Sequence, residues 1–172
     1  MSEETWVWCG GNFDLFHAGH VRFLEQVKLR SRGSHKTVVA VNTDEFAARY
    51  KRPPVMTLEE RLAVVEGCRW VDKVVVNDGD ENSWKTILRL LQTGVPVKFI
   101  AHGDDWTGPG LMAQMGLTHG GMAAWGIQFL QVPYTQGVSS SDIIARIEER
   151  ARVNALPSMG GDFDVPAHVM PC

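Results

Sequence analysis

Five short apolar runs punctuate the chain, at Thr5 to Cys9, Thr37 to Val41, Lys73 to Val76, Val97 to Ala101 and Ile127 to Val132. Each is too short for a stable helix and rich in β-branched or aromatic residues, so each is expected to be a β-strand. Most are apolar throughout instead of alternating with polar residues, which marks parallel strands covered on both faces. Between them the period changes. Val21, Leu24 and Val27 share one face of a helix expected to begin near Ala18, and Thr57 and Glu60 have the capping-box spacing that opens a helix whose apolar side is Leu58, Leu62 and Val65. Ser83 to Gln92 and Ser140 to Arg152 complete the helical set. Strand and helix alternating in this way predict an α/β fold, a doubly wound parallel five-stranded sheet with flanking helices and right-handed crossovers.

Two stretches break the pattern. Gly108 to Gly126 is rich in Gly and Met with little period, and is expected to be a partly helical excursion. The last twenty residues hold Pro157, Gly160, Gly161, Pro166 and Pro171, so the domain is expected to span 1–152 and a tail 153–172.

The polar segments that follow the strands are placed informatively: Gly10 to Asp14, Asn42 to Glu45, His102 to Trp106 and Tyr134 to Ser141. Open parallel sheets bind ligands outside the carboxyl ends of their strands, so these four segments converge on one crevice. In the first, Gly10 and Gly11 let backbone approach a ligand, and His17 and His20 fall on one face of the opening helical turn. Gly19 removes a side chain that would crowd a phosphate, and the helix start adds free N–H groups and positive partial charge. Two histidines there suit a triphosphate attacked at its α-phosphorus. The alternative, half of a zinc site, lacks a third ligand with a signature, so no metal ligands are assigned to the protein.

Composition narrows the classes. A domain of 172 residues buries roughly 70 % of the surface of its unfolded chain and needs no staples. With 44 % hydrophobic and 22 % charged residues it is ordinary globular protein, and a net charge of −3 argues against a nucleic-acid partner. Cys9, Cys68 and Cys172 show no metal-ligand spacing and suit a reducing compartment. No run nears the roughly 20 apolar residues of a membrane span, and the start Met1-Ser2-Glu3-Glu4 is acidic, so a cytoplasmic protein with no membrane partner is expected.

The stretch Gly11, Phe13, Asp14, His17, Gly19 and His20 resembles the signature Gly-x-Phe-Asp-x-x-His-x-Gly-His of the cytidylyltransferases. Asn42-Thr43-Asp44-Glu45, Lys51-Arg52-Pro53-Pro54-Val55, Glu59-Glu60-Arg61 and Arg69-Trp70-Val71-Asp72 look like further family segments in order. His102-Gly103-Asp104-Asp105-Trp106 is similar to the Gly-Asp-Asp-Trp of the glycerol-3-phosphate enzymes, and Thr135 to Ser141 looks like the closing Arg-Thr-Glu-Gly-Ile-Ser-Thr-Thr. The resemblance covers about residues 5–150 and implies a Rossmann-like nucleotidyltransferase domain in a homodimer. It implies attack by a substrate phosphate oxygen on the α-phosphorus of CTP, with Mg²⁺ bound alongside CTP and pyrophosphate leaving, no covalent enzyme intermediate being formed.

By the same resemblance His17, His20, Lys51 and Arg52 are the catalytic set. Gly11, Asn12, Phe13, Asp14, Gly19, Arg69, Gly103, Asp105, Tyr134, Thr135, Gly137, Val138, Ser139, Ser140 and Ser141 bind the nucleotide, while Lys51, Trp84, Lys85 and Trp106 bind a small phosphorylated alcohol. Plainer roles stand beside these. Arg69 and Asp72 pair as surface ions, Arg61 is solvated on its helix, Ser139 is a helix cap, and Trp84 and Trp106 belong to core or rim. Asp14 orients the motif or a metal water. Tyr134 stands where the family has Arg, which removes a fixed cation near the nucleotide, and Asn12 replaces a smaller residue. Asp105-Trp106 leans toward glycerol 3-phosphate as acceptor, giving CDP-glycerol. Tyr50 to Val55 and Thr135 to Ser139 are closer to the phosphoethanolamine enzymes. Glycerol 3-phosphate is the favoured expectation; phosphoethanolamine, adenylyl transfer from ATP and a non-catalytic nucleotide-binding module are the alternatives.

Overall fold

A computed structural model describes residues 4–30, 35–77, 82–104, 112–113 and 115–155. The chain divides after Ser140 into two compact units. The first contains a five-stranded parallel sheet: β1 (Thr5–Gly11), β2 (His35–Asn42), β3 (Lys73–Asn77), β4 (Val97–Gly103) and β5 (Gln128–Val132), in the order β3-β2-β1-β4-β5. All five expected strands are present, and the α/β Rossmann-like prediction is met. The order reverses at β1, whose Trp8 is level with Val38 of β2 on one side and Ile100 of β4 on the other. A crevice therefore opens where β1 and β4 end.

The strands are continuously apolar because both faces are covered. Along β1 the pleat sends Trp6 and Trp8 into one cluster with Val38, Ala40, Ile87 and Ile100. Val7 and Cys9 go to the opposite cluster, with Leu24, Val27, Val39 and Val65. The indole of Trp8 runs along the strand and lies over Gly10. A Cβ at position 10 would stand 2.1 Å from its Cη2. Gly10→Ala is expected to lower stability by about 1–3 kcal/mol, the usual range for overpacking. Urea midpoints test this, with Trp8→Phe restoring part of the loss in the Gly10→Ala background; an unchanged midpoint for Gly10→Ala alone would exclude the clash.

Six helices are found among the described residues. In α1 (Ala18–Arg30) Leu24 and Val27 are buried, but Val21 is 36 % exposed. Three-residue steps drift about 60° round a helix, so Val21 leaves the stripe that the other two occupy. An additional helix, α2 (Asp44–Tyr50), begins within the polar segment Asn42 to Glu45; it is capped by Thr43, whose Oγ1 accepts from Phe46 N, and it buries Phe46 and Ala47. The expected capping box opens α3 (Leu58–Glu66): Glu60 N donates to Thr57 Oγ1 at 3.3 Å and Thr57 N to Glu60 Oε2 at 2.8 Å. The apolar side of α3 is Val65 with half-buried Leu58 and Leu62, but Arg61 is buried as deeply as Val65, at 0 % exposure. Solvation of Arg61 is thus corrected. Next comes α4 (Ser83–Gln92), as expected, and the Gly-Met excursion holds a short α5 (His119–Trp125), capped by Thr118 and ended by Gly126 at φ 64°. Residues 108–111 and 114 of that excursion lie outside the described set.

The second unit contains most of α6 (Ser140–Ala155), which runs three residues past the expected Arg152 and has no buried residue. The remaining expected tail, from residue 156, lies outside the described residues. No helix among the described residues is long and apolar enough to cross a membrane.

Candidate active site

A cavity of about 610 Å³ opens at the carboxyl ends of the strands. All four polar segments contribute as expected, the third through His102 and Gly103: Gly11, Asn12, Phe13, Asp14, His17, Gly19 and His20 come from the motif, Asn42 from the end of β2, and Tyr134, Thr135, Val138, Ser139 and Ser140 from the fourth. Lys51 and Arg52 line it from the segment between α2 and α3, and His102 and Gly103 from the end of β4. Arg69, Trp84, Lys85 and Gly137 are not among its lining residues. Arg69 is exposed with its guanidinium 5.9 Å from the Trp70 ring centre. It does not pair with Asp72, which takes Lys28 Nζ at 3.0 Å and Thr37 N at 2.7 Å. Trp84 packs on the core cluster and Lys85 is exposed on α4. Gly137 supplies a left-handed turn at φ 81° before α6. Asp105 and Trp106 lie outside the described residues, and Ser141 belongs to the second unit.

Backbone hydrogen bonding explains the three-residue spacing of the histidines. The His17 carbonyl accepts from Val21 N, which makes His17 the residue that caps α1. Its Nδ1 accepts from Gly19 N at 3.1 Å, and His20 Nδ1 reaches back to accept from His17 N at 3.3 Å. This is the reciprocal pattern of a capping box, made with imidazoles in place of a hydroxyl and a carboxylate. The rings stack with centroids 3.9 Å apart. Since each Nδ1 accepts from a backbone donor, a neutral ring at either position carries its proton on Nε2.

Gly19 has a second reason beside the expected one. A Cβ there would lie 2.9 Å from the His17 ring and 3.3 Å from Val138 Cγ1, so glycine makes room for the imidazole itself.

Burial holds His20 neutral. Desolvation, then the neighbouring His17, push its pKa down to about 3, with Asp14 opposing and Lys51 adding to the depression. A folded-state pKa below the unfolded value near 6.5 means that the unfolded chain binds the proton first. The contribution is intact above about pH 6.5 and is lost as pH falls from there toward 3. Urea midpoints between pH 7 and pH 4.5 should fall less steeply in His20→Gln, which keeps an acceptor for His17 N but does not titrate; equal slopes would contradict the assignment.

Asp14 is 6 % exposed and docks another segment against the motif. Its carboxylate accepts from Val55 N and Met56 N at 3.0–3.1 Å, while its carbonyl accepts from Ser140 Oγ at 2.7 Å. The residues on either side, Phe13 and Leu15, adopt left-handed φ of 52° and 46°. For side chains other than glycine that costs on the order of 1 kcal/mol each, and such strain persists where the surroundings fix it.

Asn77, Ser83 and Thr86, which the sequence motifs did not point to, join a polar network at the cleft. Asn42 Nδ2 donates to Asn12 Oδ1 at 2.6 Å, Asn77 Nδ2 donates to Asn42 Oδ1 at 2.8 Å and to Ser83 Oγ at 3.0 Å, and Thr86 Oγ1 donates to Asn77 Oδ1 at 2.9 Å. This polar seam crosses the ends of β1, β2 and β3, and Asn42, Asn77 and Ser83 line the cavity. Its signal in the sequence is an asparagine closing each of two apolar strands. His102 donates from Nδ1 to the Gly103 carbonyl at 2.8 Å, which leaves Nε2 as an acceptor. Tyr134, 48 % exposed, sits on the rim with its N–H on Asp104 Oδ1.

A family model described as cytidylyltransferase-like matches residues 8–146. The chain is 36 % identical over 141 residues to the ethanolamine-phosphate cytidylyltransferase of Mus musculus, covering 82 % of this chain and 32 % of that protein. It is 34 % identical to a probable choline-phosphate cytidylyltransferase of Schizosaccharomyces pombe (82 % and 36 %) and 37 % identical to the bifunctional protein HldE of Streptomyces coelicolor (86 % and 29 %). It thus spans about a third of the length of these relatives. In solved structures, the lipopolysaccharide core biosynthesis protein of Thermoplasma volcanium shares the fold, with a TM-score of 0.58 at 20 % identity over 79 % of this chain and 100 % of that one.

Proposed function

The chain belongs to the cytidylyltransferase-like family, and from that premise we propose that it transfers the cytidylyl group of CTP to phosphoethanolamine, giving CDP-ethanolamine and pyrophosphate. The observation that carries the reading is the reciprocal histidine cap, which fixes two imidazoles by their Nδ1 atoms in the lining of the cavity that Lys51 and Arg52 share. Donors fixed before the substrate arrives stabilise charge as it develops, without reorganisation at the moment of reaction. An oxygen of the acceptor phosphate attacks the α-phosphorus, the bond to the bridging oxygen of the β-phosphate breaks, and pyrophosphate carries the charge away. His17 and His20 donate to the non-bridging oxygens, and Lys51 and Arg52 hold the phosphates.

Ethanolamine phosphate is preferred to glycerol 3-phosphate because it is named in the mouse relative, and because Tyr50 to Val55 resembles that group of enzymes. The glycerol expectation leaned on Asp105 and Trp106, outside the described residues. The cleft suits a magnesium ion carried by the triphosphate. The carboxylate of Asp14 is engaged by Val55 and Met56, and Mg²⁺ is commonly held through substrate phosphates and water. Bound there, the ion would neutralise charge on the phosphates.

Purified protein offered CTP or ATP with phosphoethanolamine, phosphocholine or glycerol 3-phosphate should release pyrophosphate fastest with CTP and phosphoethanolamine, and chelation of Mg²⁺ should abolish release. Turnover with ATP alone would sink the cytidylyl reading; turnover with glycerol 3-phosphate alone would sink the acceptor.

A further inference from the structure

Arg61 heads the fully buried side chains of the described residues by volume. A permanent charge is tolerated there only when its nitrogens find acceptors. They go to three different segments. Nε donates to the Met56 carbonyl at 3.2 Å, Nη1 to the Asn12 carbonyl at 2.6 Å and Nη2 to Asp44 Oδ1 at 2.5 Å. One segment is the histidine motif, another the start of α2, and the third the connection that carries Lys51 and Arg52.

That connection is gripped on both of its polar faces. Asp14 takes the N–H groups of Val55 and Met56, and Arg61 takes the Met56 carbonyl. Asp44 draws its two flanking helices together, because its Oδ1 meets Arg61 while its Oδ2 accepts from Leu58 N at 3.4 Å. Asp44 is the first residue of α2 and Leu58 the first of α3. Pro53 and Pro54, with fixed φ, remove slack between the gripped residues and the two cations.

We propose that Arg61 is a positioning residue that sets the distance between the Lys51–Arg52 edge and the histidine turn by bridging Asn12, Asp44 and Met56. The inference rests on the nucleotidyl-transfer reading given above. It concerns geometry, since Arg61 itself does not line the cavity. Lysine keeps the charge, but its single nitrogen cannot span three acceptors that a planar fork reaches.

The test is a double-mutant cycle on the full chain. Arg61→Lys is expected to lower kcat by about a hundredfold, the scale of an ångström-sized misplacement. In a Lys51→Ala background the same change should cost only about threefold, because the side chain it positions is already gone. Additive losses would overturn the proposal, since a merely structural arginine does not care whether Lys51 is present. Amide exchange on the same samples gives a readout independent of turnover. Val55 and Met56 should lose about tenfold in protection while Val7 and Trp8 in β1 keep theirs; unchanged protection at Val55 and Met56 would also overturn it. If Arg61→Lys does not fold, Asp44→Asn, whose side chain is 45 % exposed, takes its place in both measurements. Wild-type protein without pyrophosphate release would refute the transfer reading alone, and exchange would still judge the bridge.

Discussion

His17→Ala is expected to lower turnover by about 10²–10³-fold, the usual loss when one fixed donor to a developing charge is removed. It should also cost about 1 kcal/mol of stability, because Gly19 N loses its capping acceptor. The two effects can be separated. Asparagine is a good cap but has no N–H where Nε2 stands, so His17→Asn should recover the urea midpoint of the wild type while turnover stays at the alanine level. A His17→Asn enzyme with wild-type kcat would show that the imidazole serves only the helix. An enzyme with wild-type KM for CTP and a depressed kcat would place the donor's effect in the transition state.

Asp14→Asn should be nearly as damaging, for a different reason. The carboxylate accepts two backbone N–H groups in a buried position, and bonds to a charged acceptor are worth about 1.5–3 kcal/mol each. An amide presents an NH₂ on one side and leaves one of the donors facing another donor. Stability is expected to fall by about 2–4 kcal/mol, read as a lower urea midpoint with an unchanged slope. Turnover should fall by about a hundredfold as the connection bearing Lys51 shifts away from the histidines. A variant of Asp14 with normal kcat would mean that the docking of Val55 and Met56 does not matter to the chemistry.

The fold was largely legible because the covered parallel strands leave apolar runs that nothing else in the chain imitates. Trp8 and Val39, each buried by a different cluster, announce burial on both faces before any helix is placed. The capping box at Thr57 and Glu60 is local chemistry and reads directly. Helix α2 was missed since Asn42 to Glu45 served two purposes at once, ending a strand in the cleft and opening a helix of seven residues, too short to show a period.

The site was legible in its motif and less so in its support. His17 and His20 can be placed from their spacing, but the seam from Asn12 through Asn42 to Asn77 joins residues brought together by strand order. Arg61 misled for a similar reason. On a helical wheel it is one more charged residue beside Glu59 and Glu60, and only the packing of three segments around it reveals why it points inward. Arg69, Trp84 and Lys85 rest on resemblance alone, and the fold places none of them in the lining of the cavity.

The two histidines are aimed by the backbone of their own turn. In many catalytic dyads a carboxylate holds the imidazole, and the arrangement exists only after distant parts of the chain have met. Here the peptide N–H groups of residues 17 and 19 take on that task, so the hydrogen bonds that orient the rings form as the first turn of α1 winds. The same economy makes it vulnerable to fraying: whenever that turn opens, both imidazoles lose their aim together, even though the sheet beneath stays folded. On warming, activity should therefore fade before the protein melts.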